Sequence, residues 1–211
     1  IKPTKMEVNV EEVSGRVGKL TAEPLERRFG LTLGNSIRRI LLSSLQGAAI
    51  TSVKIKGVVH EFSTIPGVKE DLTDILLNLK SIAVKVHSAG LKKMYLKSSG
   101  SGELRAGNFE TDSETEIMNP DQLIMTLDSN ADIEIEANVE TGKGYVSAEV
   151  ADDENKIIGE IKLDAMFSPV IRASYKVENS RVGQVTDFDK LVFDVETNGA
   201  ISPDDAIALA A

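Results

Sequence analysis

Residues 25–44 read LERRFGLTLGNSIRRILLSS, a segment in which apolar side chains recur at intervals of three and four. That spacing puts them on one side of a helix and predicts an amphipathic helix over residues 33–46. Thr32 is the expected N-cap, and Gly47 is the expected left-handed residue at the C-terminal end. The periodic positions are Leu33, Ile37, Ile40, Leu41, Ser44 and Leu45.

The other side of this helix is predicted to face outward. Successive residues turn by about 100° around the axis, so the predicted core face centres near Ile37. Leu42 then falls on the opposite side, flanked by Arg38 and Arg39. An exposed leucine between two arginines fits a protein-contact patch, because arginine is enriched at interfaces. It also fits a solvated surface with one stray leucine, and the periodicity alone favours this second interpretation.

The flanking segments predict a mixture of strands and helices. Residues 6–10 and 17–23 alternate apolar and polar side chains around Gly15, which predicts a β-hairpin. Residues 51–58 predict a strand. Residues 68–80 predict a second amphipathic helix, with Glu70 and Asp71 in its first turn and Lys80 near its end, as the helix dipole prefers.

The second half of the chain predicts short strands and one more helix. Ser202 is the expected N-cap of that helix, Pro203 its first residue and Asp205 its third. The predicted strands are residues 82–86, 93–97, 132–139, 145–150, 170–178 and 190–196.

The composition argues against several kinds of site. The formal net charge of the 211 residues is -9, whereas nucleic-acid binding relies on clustered lysine and arginine. The absence of cysteine excludes disulfides, thiolate metal sites and thiol catalysis. His60 and His87 are the only histidines, so we expect no metal site, no cofactor and no catalytic residue. His60 beside Glu61 could form an acid/base pair, but a structural histidine is the favoured interpretation.

The sequence also lacks the patterns of a membrane or secreted protein. No apolar run approaches the roughly 20 residues that span a bilayer, and residues 1–10 lack the apolar core of a signal peptide. We therefore expect a soluble protein of the cytoplasm, without a membrane partner.

A series of motifs resembles the alpha subunit of bacterial DNA-directed RNA polymerase. The longest is TLGNSIRRILLSS at residues 32–44, preceded by Leu25-Glu26-Arg27 and Phe29-Gly30. Arg28 and Leu31 depart from the glycine and histidine that are commoner in the family. The other matches are GVVHEFST at 57–64, ILLNLK at 75–80, GKGYV at 142–146, SPV at 168–170, DKLV at 189–192 and ETNG at 196–199.

The resemblance covers essentially the whole chain and points to the N-terminal assembly domain of that subunit. It implies an α+β fold with a discontinuous dimerisation domain, an antiparallel sheet plus helices formed by residues 1–46 and 169–211. An alpha/beta domain formed by residues 47–168 is inserted between them. The implied function is that of a non-catalytic assembly subunit that homodimerises and scaffolds the beta and beta-prime subunits for transcription. The family's promoter-contacting C-terminal domain has no counterpart here, so we expect no direct DNA binding.

The resemblance also assigns contact residues by position. It implies beta-subunit contact through Arg38, Arg39 and Leu42, and beta-prime contact through Lys80 and Leu163. The residues implied in dimerisation are Phe29, Leu33, Ile37, Ile40, Leu41 and Ile207.

Two other functions compete with this interpretation. A small hydrolase would need a pocket with paired carboxylates whose pKa values are shifted in opposite directions. A self-standing β-rich adaptor would share the interface prediction but not the polymerase partners.

Overall fold

The computed structural model describes residues 5–10, 15–59, 62–88, 90–148, 159–182 and 185–211. The chain divides into two compact units. One combines Ile1–Gln46 with Ser168–Ala211, and we call it the terminal unit. The other is Gly47–Phe167, the inserted unit.

A four-stranded antiparallel sheet joins both ends of the chain in the terminal unit. The predicted hairpin is confirmed, with Lys5 opposite Glu23 and Val10 opposite Gly18. The sheet order is β1-β2-β14-β13, so a strand from the far end of the chain pairs with the hairpin. The strands are β1 (Lys5–Val10), β2 (Val17–Leu25), β13 (Val170–Val182) and β14 (Val185–Thr197).

Helix α1 (Phe29–Ser43) begins and ends earlier than its hydrophobic period predicts. The expected N-cap is wrong, because Thr32 lies inside the helix and its hydroxyl donates to the carbonyl oxygen of Arg28 at 3.4 Å. The expected C-terminal residue is wrong too, since Ser44 is the C-cap and Gly47 belongs to the next strand.

The N-cap of α1 is Arg28, which has a left-handed backbone with φ of 69°. This is the position where the resembled family more often has glycine. A side chain in this conformation costs about 1–2 kcal/mol, because its Cβ crowds the following carbonyl oxygen. The departure from the family pattern therefore has a local energetic cost.

Two glycines bring α1 close to the sheet. A Cβ atom on Gly34 would lie 2.4 Å from the Tyr175 ring, which itself stacks on Phe193 with ring centroids 5.7 Å apart. A Cβ on Gly30 would lie 3.0 Å from Val177. The buried face therefore runs along Gly30, Gly34, Ile37 and Leu41 rather than through Leu33.

Helix α3 (Pro203–Ala210) starts as its sequence predicts. The Ser202 hydroxyl accepts a hydrogen bond from the Asp205 backbone N–H at 3.3 Å, and Pro203 is the first helical residue. The helix completes the core of the terminal unit. The buried apolar residues of this core are Leu20, Ala22, Leu25, Ile37, Leu41, Leu45, Val170, Ala173, Leu191, Phe193, Val195, Ala206, Ile207 and Ala210.

The inserted unit contains three sheets in its described residues. The largest has the order β5-β9-β3-β4-β7, with β11 paired to β3, while β6 pairs with β8 and β10 with β12. Its long strands are β3 (Gln46–Ile55), β5 (Lys92–Ser99) and β9 (Asp132–Lys143). The shorter strands are β4 (Val84–Val86), β6 (Gly102–Arg105), β7 (Thr115–Ile117), β8 (Leu123–Leu127), β10 (Tyr145–Val146), β11 (Glu160–Lys162) and β12 (Ala165–Met166).

Helix α2 (Leu72–Lys80) is shorter than predicted. Glu70 precedes it and Asp71 is its N-cap residue, so the expected acidic first turn is supplied by Asp74 instead. Lys80 lies in the last turn, as predicted. The residues of α2 that face the core are Leu72, Ile75, Leu76 and Leu79.

The expected α+β class is confirmed, because the strand pairings with a described register are antiparallel. Some strand bounds differ from expectation. Strand β3 starts earlier than residue 51, and β10 ends at Val146. The last two residues of the predicted strand 145–150 lie outside the described residues.

Candidate docking surfaces

An apolar stripe remains exposed on one flank of helix α1. Positions 29, 33, 36 and 40 follow the i, i+4, i+7, i+11 spacing of a single helical flank. Phe29 is 49% exposed and Ile40 is 37% exposed, with Leu33 half-buried between them. We call Phe29, Leu33 and Ile40 the α1 stripe. Ile40 belongs to this stripe and not to the core face on which the hydrophobic period placed it.

Three other residues assigned to dimerisation are buried inside the terminal unit. Ile37, Leu41 and Ile207 are all less than a tenth exposed and pack in its own core. Their side chains hold α1 and α3 in place. A second chain could touch the α1 stripe directly but could not reach these three.

The arginine patch of α1 is only partly as expected. Arg39 is exposed and borders a shallow cleft of about 250 Å³ with Ile40 and three serines. The guanidinium Nε of Arg38 donates to the Ala173 carbonyl oxygen at 3.3 Å, so this arginine is tied to β13. The prediction that Leu42 faces outward is wrong, because it is half-buried and packs against the core. Displacement of the buried face toward Gly30 and Gly34 brings Leu42 to the edge of the core.

The N-terminal end of α1 is fixed by a residue from β14. The helix has no side-chain cap of its own and no acidic residue in its first turn. Asp189 of β14 takes the place of a cap and brings a negative charge to this helix end, because its Oδ2 accepts a hydrogen bond from the Gly30 N–H at 3.0 Å. Sequence reasoning missed this contact, which joins residues far apart in the chain.

A second candidate surface lies in the inserted unit, around Lys80. The Lys80 ammonium lies 2.9 Å from Asp164 Oδ2, and each side chain is about one third exposed. The Ala148 backbone N–H donates to Asp164 Oδ1 at 3.0 Å. This N–H and the Lys80 ammonium hold the pKa of Asp164 below its ordinary value. Leu163, the other residue assigned to this surface, is buried in the core of the inserted unit.

The strand pair β10–β12 adds two apolar side chains that sequence reasoning did not single out. Tyr145 lies opposite Met166 in the antiparallel register, and these side chains are 59% and 62% exposed. Strands of two residues are too short to show an alternating pattern. The GKGYV motif was the available signal, since its glycines indicate a tight turn before Tyr145.

A cleft with a volume of about 560 Å³ lies on the main sheet of the inserted unit. Its lining includes Lys54 of β3, Lys56 just after that strand, Lys97 of β5, glutamates of β9 and Tyr95. Several of these charges pair with one another, since the Glu134 carboxylate lies 3.7 Å from the Lys56 ammonium and 4.0 Å from that of Lys97. The cleft therefore presents paired charges and not a concentration of one sign.

In the described part of the chain, no group of three or more histidine, aspartate or glutamate side chains is arranged to hold a metal ion. His60 and Glu61, the suggested acid/base pair, lie outside the described residues. No helix of the described chain is both long and apolar enough to cross a bilayer.

A family model for the RNA polymerase Rpb3/RpoA insert domain matches residues 53–168, which is more than half of the chain. The chain belongs to this family. The predicted relation to the N-terminal domain of an RNA polymerase alpha subunit is thereby confirmed.

Membership of the Rpb3/RpoA insert-domain family makes the chain an RNA polymerase subunit that assembles with other polymerase subunits. The matched range nearly coincides with the inserted unit, Gly47–Phe167. Lys80, Asp164, Tyr145 and Met166 lie inside it, whereas α1 lies outside. The family match therefore covers the Lys80 surface but not the surface on α1.

Proposed function

We propose that this chain is a non-catalytic assembly subunit of a bacterial DNA-directed RNA polymerase. It forms a homodimer through its terminal unit, and the dimer scaffolds the beta and beta-prime subunits for transcription in the cytoplasm. The observation that carries the proposal is the exposed α1 stripe on a chain whose inserted unit belongs to an RNA polymerase family.

The dimer contact is assigned to the α1 stripe. Phe29 and Ile40 are large apolar side chains left in water on a helix whose other flank is fixed to the sheet. Pairing the stripe with its copy about a two-fold axis would bury the same residues on both chains. Apolar burial contributes about 25 cal/mol per Å², so this contact is a source of association free energy.

Beta-subunit docking is assigned to Arg39, with Arg38 and Leu42 in supporting positions. Arg39 is exposed, and its planar guanidinium can form paired hydrogen bonds with a carboxylate or with backbone oxygens of a partner. Arg38 is anchored to the Ala173 carbonyl and Leu42 to the core, so both hold the helix that presents Arg39.

Beta-prime docking is assigned to the surface around Lys80. Leu163 supports that surface from below, since its side chain is buried. No catalytic role is assigned to the chain, and purified protein alone is expected to show no nucleotidyl transfer.

Sedimentation equilibrium of the full chain tests the dimer. Wild type should be a dimer at micromolar concentration, and the double variant Phe29→Ser/Ile40→Ser should dissociate at least tenfold more readily. Leu31→Ser is the matched control, because Leu31 is 60% exposed on the same helix but off the stripe. A monomeric wild type, or equal weakening by the control, would overturn the dimer assignment.

Co-purification with the beta subunit tests the second contact. Arg39→Ala should weaken beta binding at least tenfold while leaving the unfolding midpoint close to that of wild type. Arg27→Ala removes an exposed arginine that pairs with Asp187 at 3.3 Å, and it should bind beta normally. Unchanged beta binding by Arg39→Ala would contradict the assignment.

A further inference from the structure

We propose that Tyr145 and Met166 form an apolar docking patch for an uncharged segment of the beta-prime subunit. This inference rests on the proposed function, which assigns the neighbouring Lys80 surface to the same partner. The two side chains lie opposite each other on β10 and β12, and more than half of each is in water.

A small buried cluster packs on the side of β12 opposite to the patch. Phe167 is buried in a small cluster with Ala49 and Ala165. Because side chains alternate along a strand, the Met166 side chain points away from the side on which its neighbours Ala165 and Phe167 are buried. The Phe167 backbone N–H donates to the Gly144 carbonyl oxygen at 2.8 Å, which ties the two strands together at this end.

The glycine turn before Tyr145 allows this close packing. A Cβ on Gly142 would lie 2.7 Å from the Phe167 ring, so only glycine fits at that position without displacement. Gly144 has φ of 63°, in the left-handed region that favours glycine. The backbone conformation of this turn therefore determines that Tyr145 and Met166 are exposed.

The patch is continuous with the Lys80 surface through Asp164. This carboxylate contacts the Lys80 ammonium, the Ala148 backbone N–H and the Tyr145 hydroxyl. The tyrosine is thus held beside the ion pair by its polar end while its ring remains exposed. A partner that contacts Lys80 meets Tyr145 on the same surface.

The chemistry of the patch specifies the occupant. Lys80 and Asp164 neutralise each other, so neither offers an unpaired charge to a charged segment. Tyrosine and methionine are enriched in the cores of protein interfaces, and tyrosine is a frequent hot-spot residue. Leu163 is buried and cannot make direct contact, whereas Tyr145 and Met166 are 59% and 62% exposed and lie opposite each other in the register.

The test measures incorporation of beta-prime when the 211-residue chain is mixed with purified beta and beta-prime subunits. Tyr145→Ala/Met166→Ala should lower the apparent affinity for beta-prime at least tenfold and leave beta binding within twofold of wild type. Tyr95→Ala is the matched control, because Tyr95 is an exposed tyrosine on a different sheet of the same unit, and it should assemble normally. Tyr145→Phe keeps the ring and should bind beta-prime within a few fold of wild type.

The outcomes separate this inference from the proposed function. Loss of beta-prime with Lys80→Ala but not with the double alanine variant would overturn the patch and leave the Lys80 assignment intact. Loss of beta in place of beta-prime would overturn the choice of partner. Absence of beta-prime incorporation by wild type would instead contradict the proposed function itself. Circular dichroism confirms that each variant is folded before binding is compared.

Discussion

The carboxylate of Asp189 accepts a hydrogen bond from the backbone N–H of Gly30, with 3.0 Å between Asp189 Oδ2 and the Gly30 nitrogen. The first N–H groups of a helix have no partner within the helix, and a negative charge there also interacts favourably with the helix dipole. Because α1 has no side-chain cap of its own, this contact from β14 replaces one. It holds in place the helix end that carries Phe29.

Removing this contact should destabilise the terminal unit. Asp189→Ala is expected to lower the free energy of unfolding by about 1 kcal/mol, the usual cost of losing a helix cap. Asp189→Asn keeps an acceptor oxygen and should lose less. Urea unfolding followed by circular dichroism measures both. Asp187→Ala, which removes an exposed ion pair with Arg27, should change stability by less than about 0.5 kcal/mol. Equal effects at positions 187 and 189 would show that Asp189 does not cap α1.

Replacing Arg28 by glycine should stabilise the chain. The left-handed backbone at φ of 69° costs a side chain about 1–2 kcal/mol, whereas glycine adopts it freely. The greater entropy of glycine in the unfolded chain offsets about 0.5–1 kcal/mol, so the expected net gain is about 0.5–1 kcal/mol. The measurement is the urea midpoint of Arg28→Gly against Arg27→Gly. The control gains nothing, because position 27 does not have a positive φ. A less stable Arg28→Gly would contradict the conformation at this residue.

Gly34→Ala should destabilise the chain even though alanine favours helices. Helix propensity alone predicts a gain of about 1 kcal/mol. The added Cβ would lie 2.4 Å from the Tyr175 ring, and overpacking of this kind typically costs about 1–3 kcal/mol. We therefore expect a lower unfolding midpoint for Gly34→Ala and a slightly higher one for Ser36→Ala on the exposed flank, where the propensity gain meets no clash. A stabilised Gly34→Ala would show that α1 lies farther from the sheet than the structure places it.

Acid should weaken the inserted unit partly through Glu70. Burial raises the pKa of this carboxyl, but hydrogen bonds from the Thr126 backbone N–H at 2.7 Å and from its hydroxyl at 2.8 Å outweigh burial, so the pKa lies below 4.5. A lowered pKa in the folded state contributes stability above the unfolded value, and that stability is lost as pH falls through the folded value.

Unfolding measured from pH 7 to pH 3 tests this contribution. Stability should decline below about pH 4.5, and Glu70→Gln should be less stable at pH 7 but show a shallower decline. Thr126→Val removes only the hydroxyl donor and should give an intermediate slope. If Glu70→Gln keeps the full acid dependence, the Glu70–Thr126 contact does not contribute to it.

Local sequence chemistry determined several features of this protein by itself. The start of α3 could be predicted because Ser202, Pro203 and Asp205 act on one another within a single turn. The β1–β2 hairpin could be predicted because its pairing partners are close in the chain. The motif TLGNSIRRILLSS pointed to the family, although the family match itself lies over residues 53–168.

Only the tertiary structure decided where α1 begins, which side of it is buried and which residues of each surface stay exposed. Asp189 caps the helix from the other end of the sequence. Tyr175 packs against Gly34, a residue that an argument from hydrophobic periodicity does not count as part of the buried face. In the same way Tyr145 and Met166 are exposed where the backbone of a glycine turn packs on Phe167, whereas Leu163 is buried in the core of the inserted unit. Hydrophobic spacing reports the period of an element, but the distance to its neighbours depends on contacts between residues far apart in the chain.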